Sequence, residues 1–265
     1  MKYLKIFFNF ISFLSIFYLI YILFDDLREV NFLNSTFLIA FIQSVFFSTL
    51  AYILIFICFL ELCRMYRKDI LFPQVFKLMS ISQLYKYIPG NFFHYLKRYE
   101  FFSKMGLDKH FIKVNSYELF FYISASFIFI PFIFIDNLFY IFILLISLMS
   151  FYFFIPVNRT FKIIFLLYFF AHLFFLISFL LIFNANEINK EFHEFFYIGS
   201  IFTLSKTVGT IIPGSPSGLG LSELFVLLAK FDFLLVSMLI FRLVVLFTEI
   251  LLFSVSFFYK KNFSK

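Results

Sequence analysis

The sequence predicts an all-α polytopic membrane protein, with about six transmembrane helices and two re-entrant helical hairpins in an inverted repeat. Three observations carry that expectation. The 265-residue chain is 63% hydrophobic, has a mean hydropathy of +1.00 and is only 14% charged, more apolar surface than one soluble core can cover. Its cations gather at the ends of apolar runs, the positive-inside pattern. The tripeptide Ile-Pro-Gly occurs at Ile88-Pro89-Gly90 and again at Ile212-Pro213-Gly214, an offset of 213 − 89 = 124. The net charge of +7 therefore marks membrane topology, and nucleic acid is not an expected partner. Cys58 and Cys63 fit neither a metal nor a disulfide framework, and no cofactor is expected.

Taken in order, Ile6–Phe24 follows Lys2 and Lys5 and is long enough to cross a bilayer, at ~20 residues per crossing. It reads as a retained first helix, because no small-residue cleavage site precedes Asp25-Asp26. The acidic loop to Thr36 lies outside. Phe37–Leu60 then returns to the cytoplasm, where Glu61–Lys113 carries Arg64, Arg67, Lys68, Lys77 and further cations. Within this basic part, residues 72–102 form the first hairpin, with arms Phe72–Tyr87 and Phe92–Phe102, each too short and polar to span. Val114–Ile135 crosses outward, and Leu138–Ile155 crosses back as a linking helix (138–156). Phe161–Phe183 goes out again, to an acidic loop with Glu187, Glu191 and Glu194.

Parity then orients the second hairpin. Phe233–Tyr259 is one span ending at Lys260 and Lys261, so both chain termini are cytoplasmic. Residues 195–230 must enter and leave on the outer face, opposite to the first hairpin. Two full spans there would satisfy parity equally. The chain is thus one integral domain over 1–265: residues 1–36 as first helix and outer loop, unit 1 over 37–135, and unit 2 over 161–259. Other matches share the 124 offset: Phe37–Leu60 falls on the apolar run from Phe161, Asn91 on Ser215, and Glu118 on Arg242.

Proline and glycine inside an apolar run free backbone groups, which lipid tolerates only where they are packed in protein or line a wet cavity. Asn91 and Ser215 suit helix N-caps, and Pro216 the first helical position. Half-helices starting there would aim N–H groups and positive dipole ends at an anion, with Gly214, Gly218 and Gly220 allowing close approach. Opposed broken helices of this kind are characteristic of transporters.

Intramembrane charges need partners. Glu118 and Arg242 either pair across the pseudo-twofold axis or line the path there, or else each snorkels or pairs locally. Lys206 precedes Pro213 by about two turns, facing a phosphate or bridging to Glu223. His94 and Arg98, four apart, share a helix face, for lipid headgroups or for solvent. His172 and His193 read as structural.

Tyr87-Ile88-Pro89-Gly90 with Phe93, His94, Arg98, Gly106 and Glu118 resembles the first motif of the lysylphosphatidylglycerol synthase membrane-domain family. Pro213-Gly214 with Gly218-Leu219-Gly220-Leu221-Ser222-Glu223 and Arg242 resembles its second. Phe93 and Ser215-Pro216-Ser217 depart from the tryptophan and paired glycines of many members. The resemblance implies a stand-alone flippase domain, without the aminoacyltransferase domain, in the bacterial cytoplasmic (inner) membrane. Its cargo would be an anionic phospholipid or a polyprenyl-phosphate-linked glycan precursor. The substrate-binding candidates are then Pro89, Gly90, Asn91, His94, Arg98, Glu118, Lys206, Pro213, Gly214, Ser215, Gly218, Gly220, Glu223 and Arg242. Two alternatives stay open: a membrane-embedded transferase, for which Glu61 and Asp69 are the cytoplasmic acids, and a non-catalytic partner of an envelope-assembly enzyme. Homo-oligomerisation is a further expectation.

Overall fold

A computed structural model describes residues 34–87, 93–129, 158–186, 192–211 and 232–258. Among them all regular structure is helical. The α-helices are α1 (Ser35–Arg64), α2 (Phe72–Tyr85), α3 (Phe93–Lys104), α4 (Phe111–Ser126), α5 (Arg159–Asn186), α6 (Phe192–Ile211) and α7 (Asp232–Phe258). Three are long and apolar enough to cross a membrane: α1, α5 over Arg159–Ala185, and α7 over Val236–Phe258. The sequence predicted each within a few residues. Expectations for Ile6–Phe24, for Leu138–Ile155 and for both Pro-Gly tips fall outside the described residues.

Local chemistry sets the helix ends. Asn34 caps α1, its side-chain oxygen accepting from Thr36 N at 3.2 Å. Pro73 sits in the first turn of α2, where its missing N–H costs nothing, and Leu71 N donates to Gln74 Oε1 at 3.0 Å. After Lys104, Gly106 adopts φ 64°, Leu107 N reaches Phe102 O at 2.8 Å and Gly106 N reaches Ser103 O at 3.0 Å. This is a Schellman motif, and it gives the glycine in the first sequence motif a physical reason.

The burial pattern is that of a protein in lipid. Leu38, Ile39, Ile42 and Phe46 of α1 are exposed, as are Phe247, Ile250 and Phe258 of α7. Small polar residues are buried instead, among them Ser44, Ser48, Ser178, Thr203 and Thr248. In lipid, apolar area between helices brings little advantage, so close approach and interhelical hydrogen bonds hold the seams. At the α1–α5 seam Ser44 Oγ meets Ser178 Oγ at 2.6 Å and Ser48 Oγ meets it at 2.8 Å. Further along, Cys58 Sγ faces Ile164 O at 3.6 Å. Fourteen residues forward on α1 (44 to 58) are fourteen back on α5 (178 to 164), so the two helices run antiparallel.

The 124 offset reappears in the packing. It superposes α1 on α5, α2 on α6 and α4 on α7. The pair α1–α2 is in contact, and so is α5–α6; α1–α4 recurs as α5–α7, α4–α5 as α1–α7, and α2–α7 as α4–α6. Each of these neighbour relations thus has its counterpart.

The helices α2 and α3 pack against each other. Their outer ends meet where Arg67 Nη1 donates to Met105 O at 2.6 Å and Tyr66 stacks on His110 at 4.2 Å. At the other end Lys86, which caps α2, stands 3.4 Å from the Tyr52 hydroxyl on α1. Tyr52 lies 64 − 52 = 12 residues from the Arg64 end, about 18 Å along the axis at ~1.5 Å per residue. So α2 leaves one end of α1 and reaches the middle of it, and α3 returns to the same end.

Candidate functional site

A cavity of about 450 Å³ opens among the helices at this depth. All seven described α-helices line it: Tyr52 from α1, Gln83 from α2 with its cap Lys86, Arg98 from α3, Glu118 from α4, Phe175 from α5, Lys206 from α6 and Arg242 from α7. Of the residues singled out from sequence, His94, Arg98, Glu118, Lys206 and Arg242 meet here although they span 149 positions (242 − 94 = 148, counted inclusively). Pro89, Gly90, Asn91, Pro213, Gly214, Ser215, Gly218, Gly220 and Glu223 lie outside the described residues.

Glu118 pairs with Arg98 rather than across the units with Arg242. One turn and a short loop separate α3 from α4, so local geometry supplies the nearer cation. Arg98 is only 5% exposed; its Nη1 also donates to Asn115 Oδ1 at 3.0 Å, and its guanidinium stands 5.0 Å from the centre of the Phe59 ring. Asn115 is oriented in turn by donating to Phe111 O at 2.8 Å. His94 and Arg98 therefore share a face as the spacing predicts, and that face looks into the cavity rather than onto solvent or an interface. Burial, with the nearby Arg98 and Lys86 charges adding to it, pushes the His94 imidazole down to about 3, so it is neutral at physiological pH.

Lys206 comes from α6. Its ammonium lies 2.9 Å from the centre of the Phe175 ring and 5.9 Å from that of Phe241. Its Nζ is buried without a hydrogen-bond partner. The rings below it are fixed by packing, with Phe202 edge-on to Phe241 at 4.9 Å and stacked on Phe179 at 4.1 Å.

A second buried ion pair was not anticipated. Lys86 of α2 binds Glu249 of α7, and the Tyr52 hydroxyl donates to the same carboxylate oxygen. An acid within an apolar span demands a partner, so Glu249 carried a signal in the sequence; its match to a lysine 163 positions away did not. His172 is structural as expected, with Nε2 3.0 Å from Tyr122 O. The His193 side chain is outside the described residues.

No protein-family model and no curated protein matches this chain. The resemblance drawn from the two motifs therefore stands on those residues alone.

The cavity is electropositive. Four cations and one carboxylate line the cavity among the described residues, and Arg98 already neutralises the carboxylate. Glu61 and Asp69, the acids weighed for a transferase, lie elsewhere, bound to Arg64 at 3.1 Å and Arg67 at 2.7 Å. Gly199 marks how closely the walls approach: a β-carbon there would collide with the Leu176 side chain of α5.

Proposed function

We propose that this protein is a flippase, carrying a phosphate-bearing lipid across the cytoplasmic membrane of a bacterium. The cargo is a phospholipid or a polyprenyl-phosphate-linked glycan precursor. The observation that supports this best is the position of the cavity. It lies at mid-length of helices long enough to span a bilayer, is built from both copies of the repeat, and is lined by cations. A charge at that depth is costly unless it is paired or faces a polar path, so four of them around one space favour a route for an anion.

The remaining architecture supports the same reading. Antiparallel α1 and α5, together with neighbour relations that recur at the 124 offset, fit two units of opposite orientation. The path of α2 and α3, in and out by one end of α1, fits a re-entrant hairpin. Six spans with a second hairpin over 195–230 complete the proposed topology, both termini cytoplasmic. In such folds one unit rocks against the other around a central site, exposing it to each face in turn.

The test is transbilayer movement in liposomes containing the purified protein. A headgroup-labelled phospholipid and a labelled polyprenyl-phosphate sugar would be compared, with wild type beside Arg242→Ala and Pro213→Ala/Gly214→Leu. Movement of either lipid that the variants lose supports translocation and names the cargo class. Immobility of both lipids with folded wild-type protein returns the weight to a transferase or a non-catalytic partner.

A further inference from the structure

We infer that the cavity is a phosphate site anchored by Lys206, built for headgroups with negative charge and against headgroups bearing an ammonium. The lipid origin of that phosphate rests on the translocation reading above; the site chemistry rests on the donors and acceptors described next.

Four buried side-chain atoms of cavity-lining residues have no hydrogen-bond partner: His94 Nδ1, Arg98 Nε, Tyr168 Oη and Lys206 Nζ. Buried polar atoms are nearly always paired, and an unmet one costs the full desolvation of the group. Here the residues that carry the unmet atoms all line one cavity, and each of those atoms can donate. Lysine and arginine have no lone pair to offer; tyrosine has a hydroxyl proton, and an acceptor ligand selects the His94 tautomer protonated on Nδ1. Among the described residues the site is short of acceptors. Phosphate oxygens carry only lone pairs at these positions, so they meet several donors at once.

An ammonium finds the reverse. Glu118, the lining carboxylate among the described residues, is bound by Arg98. Glu249 does have an unpaired oxygen, Oε2, but its side chain is fully buried behind Lys86 and does not line the cavity. Among the described residues a cationic headgroup would thus face Lys86, Arg98 and Lys206 with no open acid lining the cavity.

Among the cations Lys206 is the anchor. Arg98 and Lys86 are committed to carboxylates, whereas the Lys206 ammonium rests on Phe175 and can turn toward a ligand on its flexible stem. Burial first, then the Lys86 and Arg242 charges nearby, push the Lys206 amine well below its ordinary value, and an incoming anion supplies the opposite charge that favours its ammonium form.

The experiment is calorimetric titration of the full chain in detergent with three probes: dihexanoyl phosphatidic acid, dihexanoyl phosphatidylethanolamine and inorganic phosphate. Wild type is compared with Lys206→Met and Lys206→Arg, each monodisperse on size exclusion. We expect phosphatidic acid to bind wild type about tenfold or more tighter than phosphatidylethanolamine. Lys206→Met should weaken it about tenfold, the size of one charge-assisted hydrogen bond, while Lys206→Arg retains most of it. Equal affinity for the two lipids, no binding of either, or an unchanged Lys206→Met overturns the proposal. Inorganic phosphate binding as tightly as phosphatidic acid overturns the lipid source and leaves a soluble-anion site. Selective binding without lipid movement in liposomes would refute translocation alone; movement that survives Lys206→Met would refute the anchor alone.

Discussion

The ammonium of Lys86 and the carboxylate of Glu249 join the end of α2 to the middle of α7, with the Tyr52 hydroxyl of α1 on the same oxygen. Three elements distant in sequence are fastened at one point beside the cavity.

Because the Glu249 side chain is fully buried, removing its cation strands a charge. Lys86→Met should lower unfolding stability by roughly 3 kcal/mol, and Glu249→Gln by a comparable amount. The double variant should lose far less than the sum, since neither charge is then orphaned. Thermal unfolding of the four proteins in one detergent measures this, and additive losses would remove the pair from the account.

The Arg98–Glu118 pair makes an opposite-charge exchange informative. Each single reversal places two like charges in a buried site, whereas Arg98→Glu with Glu118→Arg should recover at least part of the lost stability. The exchange Glu118→Arg with Arg242→Glu should not, because it leaves Arg98 facing a new arginine. Recovery in the second exchange but not the first would restore the cross-unit pairing that the symmetry of the two positions implies.

His94 gives a pH signature. Its folded value of about 3 lies below its ordinary 6.5, so between those limits the unfolded chain holds a proton that the folded chain refuses. Stability therefore rises with pH through this window and is complete above about pH 6.5. Acidification from pH 7 to 5 should destabilise wild type more than His94→Gln, and the difference between their melting temperatures isolates this residue. Parallel curves would mean that His94 takes up its proton freely.

At Gly199 a larger side chain must displace Leu176. Gly199→Val should destabilise by about 1–3 kcal/mol, the usual cost of overpacking, and Leu176→Ala should offset part of that loss. A Gly199→Val protein as stable as wild type would show that α5 and α6 have room to part.

Much of this arrangement was legible before any coordinates. Long apolar runs fixed α1, α5 and α7, since length and hydropathy leave a spanning segment few alternatives. The two arms expected on either side of Pro89-Gly90, Phe72–Tyr87 and Phe92–Phe102, match α2 and α3 within about two residues. The repeat located Glu118 and Arg242 as equivalents, and both do line one cavity. Partner choice was not legible. Symmetry favoured Glu118 with Arg242, but Arg98 reaches Glu118 from the adjoining helix, and proximity along the chain outweighs formal equivalence. Lys86 was read only as one of many basic-loop cations, because no local pattern tells that α2 carries it inward to Glu249. Tyr52 gave no signal, one tyrosine among 16 until the fold sets it beside an acid.

The serines where α1 crosses α5 have a consequence of their own. Ser44, Ser48 and Ser178 bond hydroxyl to hydroxyl, and in these contacts either oxygen can be the donor. Their protons can reverse direction around the cluster while the heavy atoms stay in place. The same hydroxyls also reach backbone carbonyls, Ser44 Oγ to Ser178 O at 2.7 Å and Ser178 Oγ to Ser44 O at 2.8 Å, so this seam has several alternative bonds where interlocked leucines would have none.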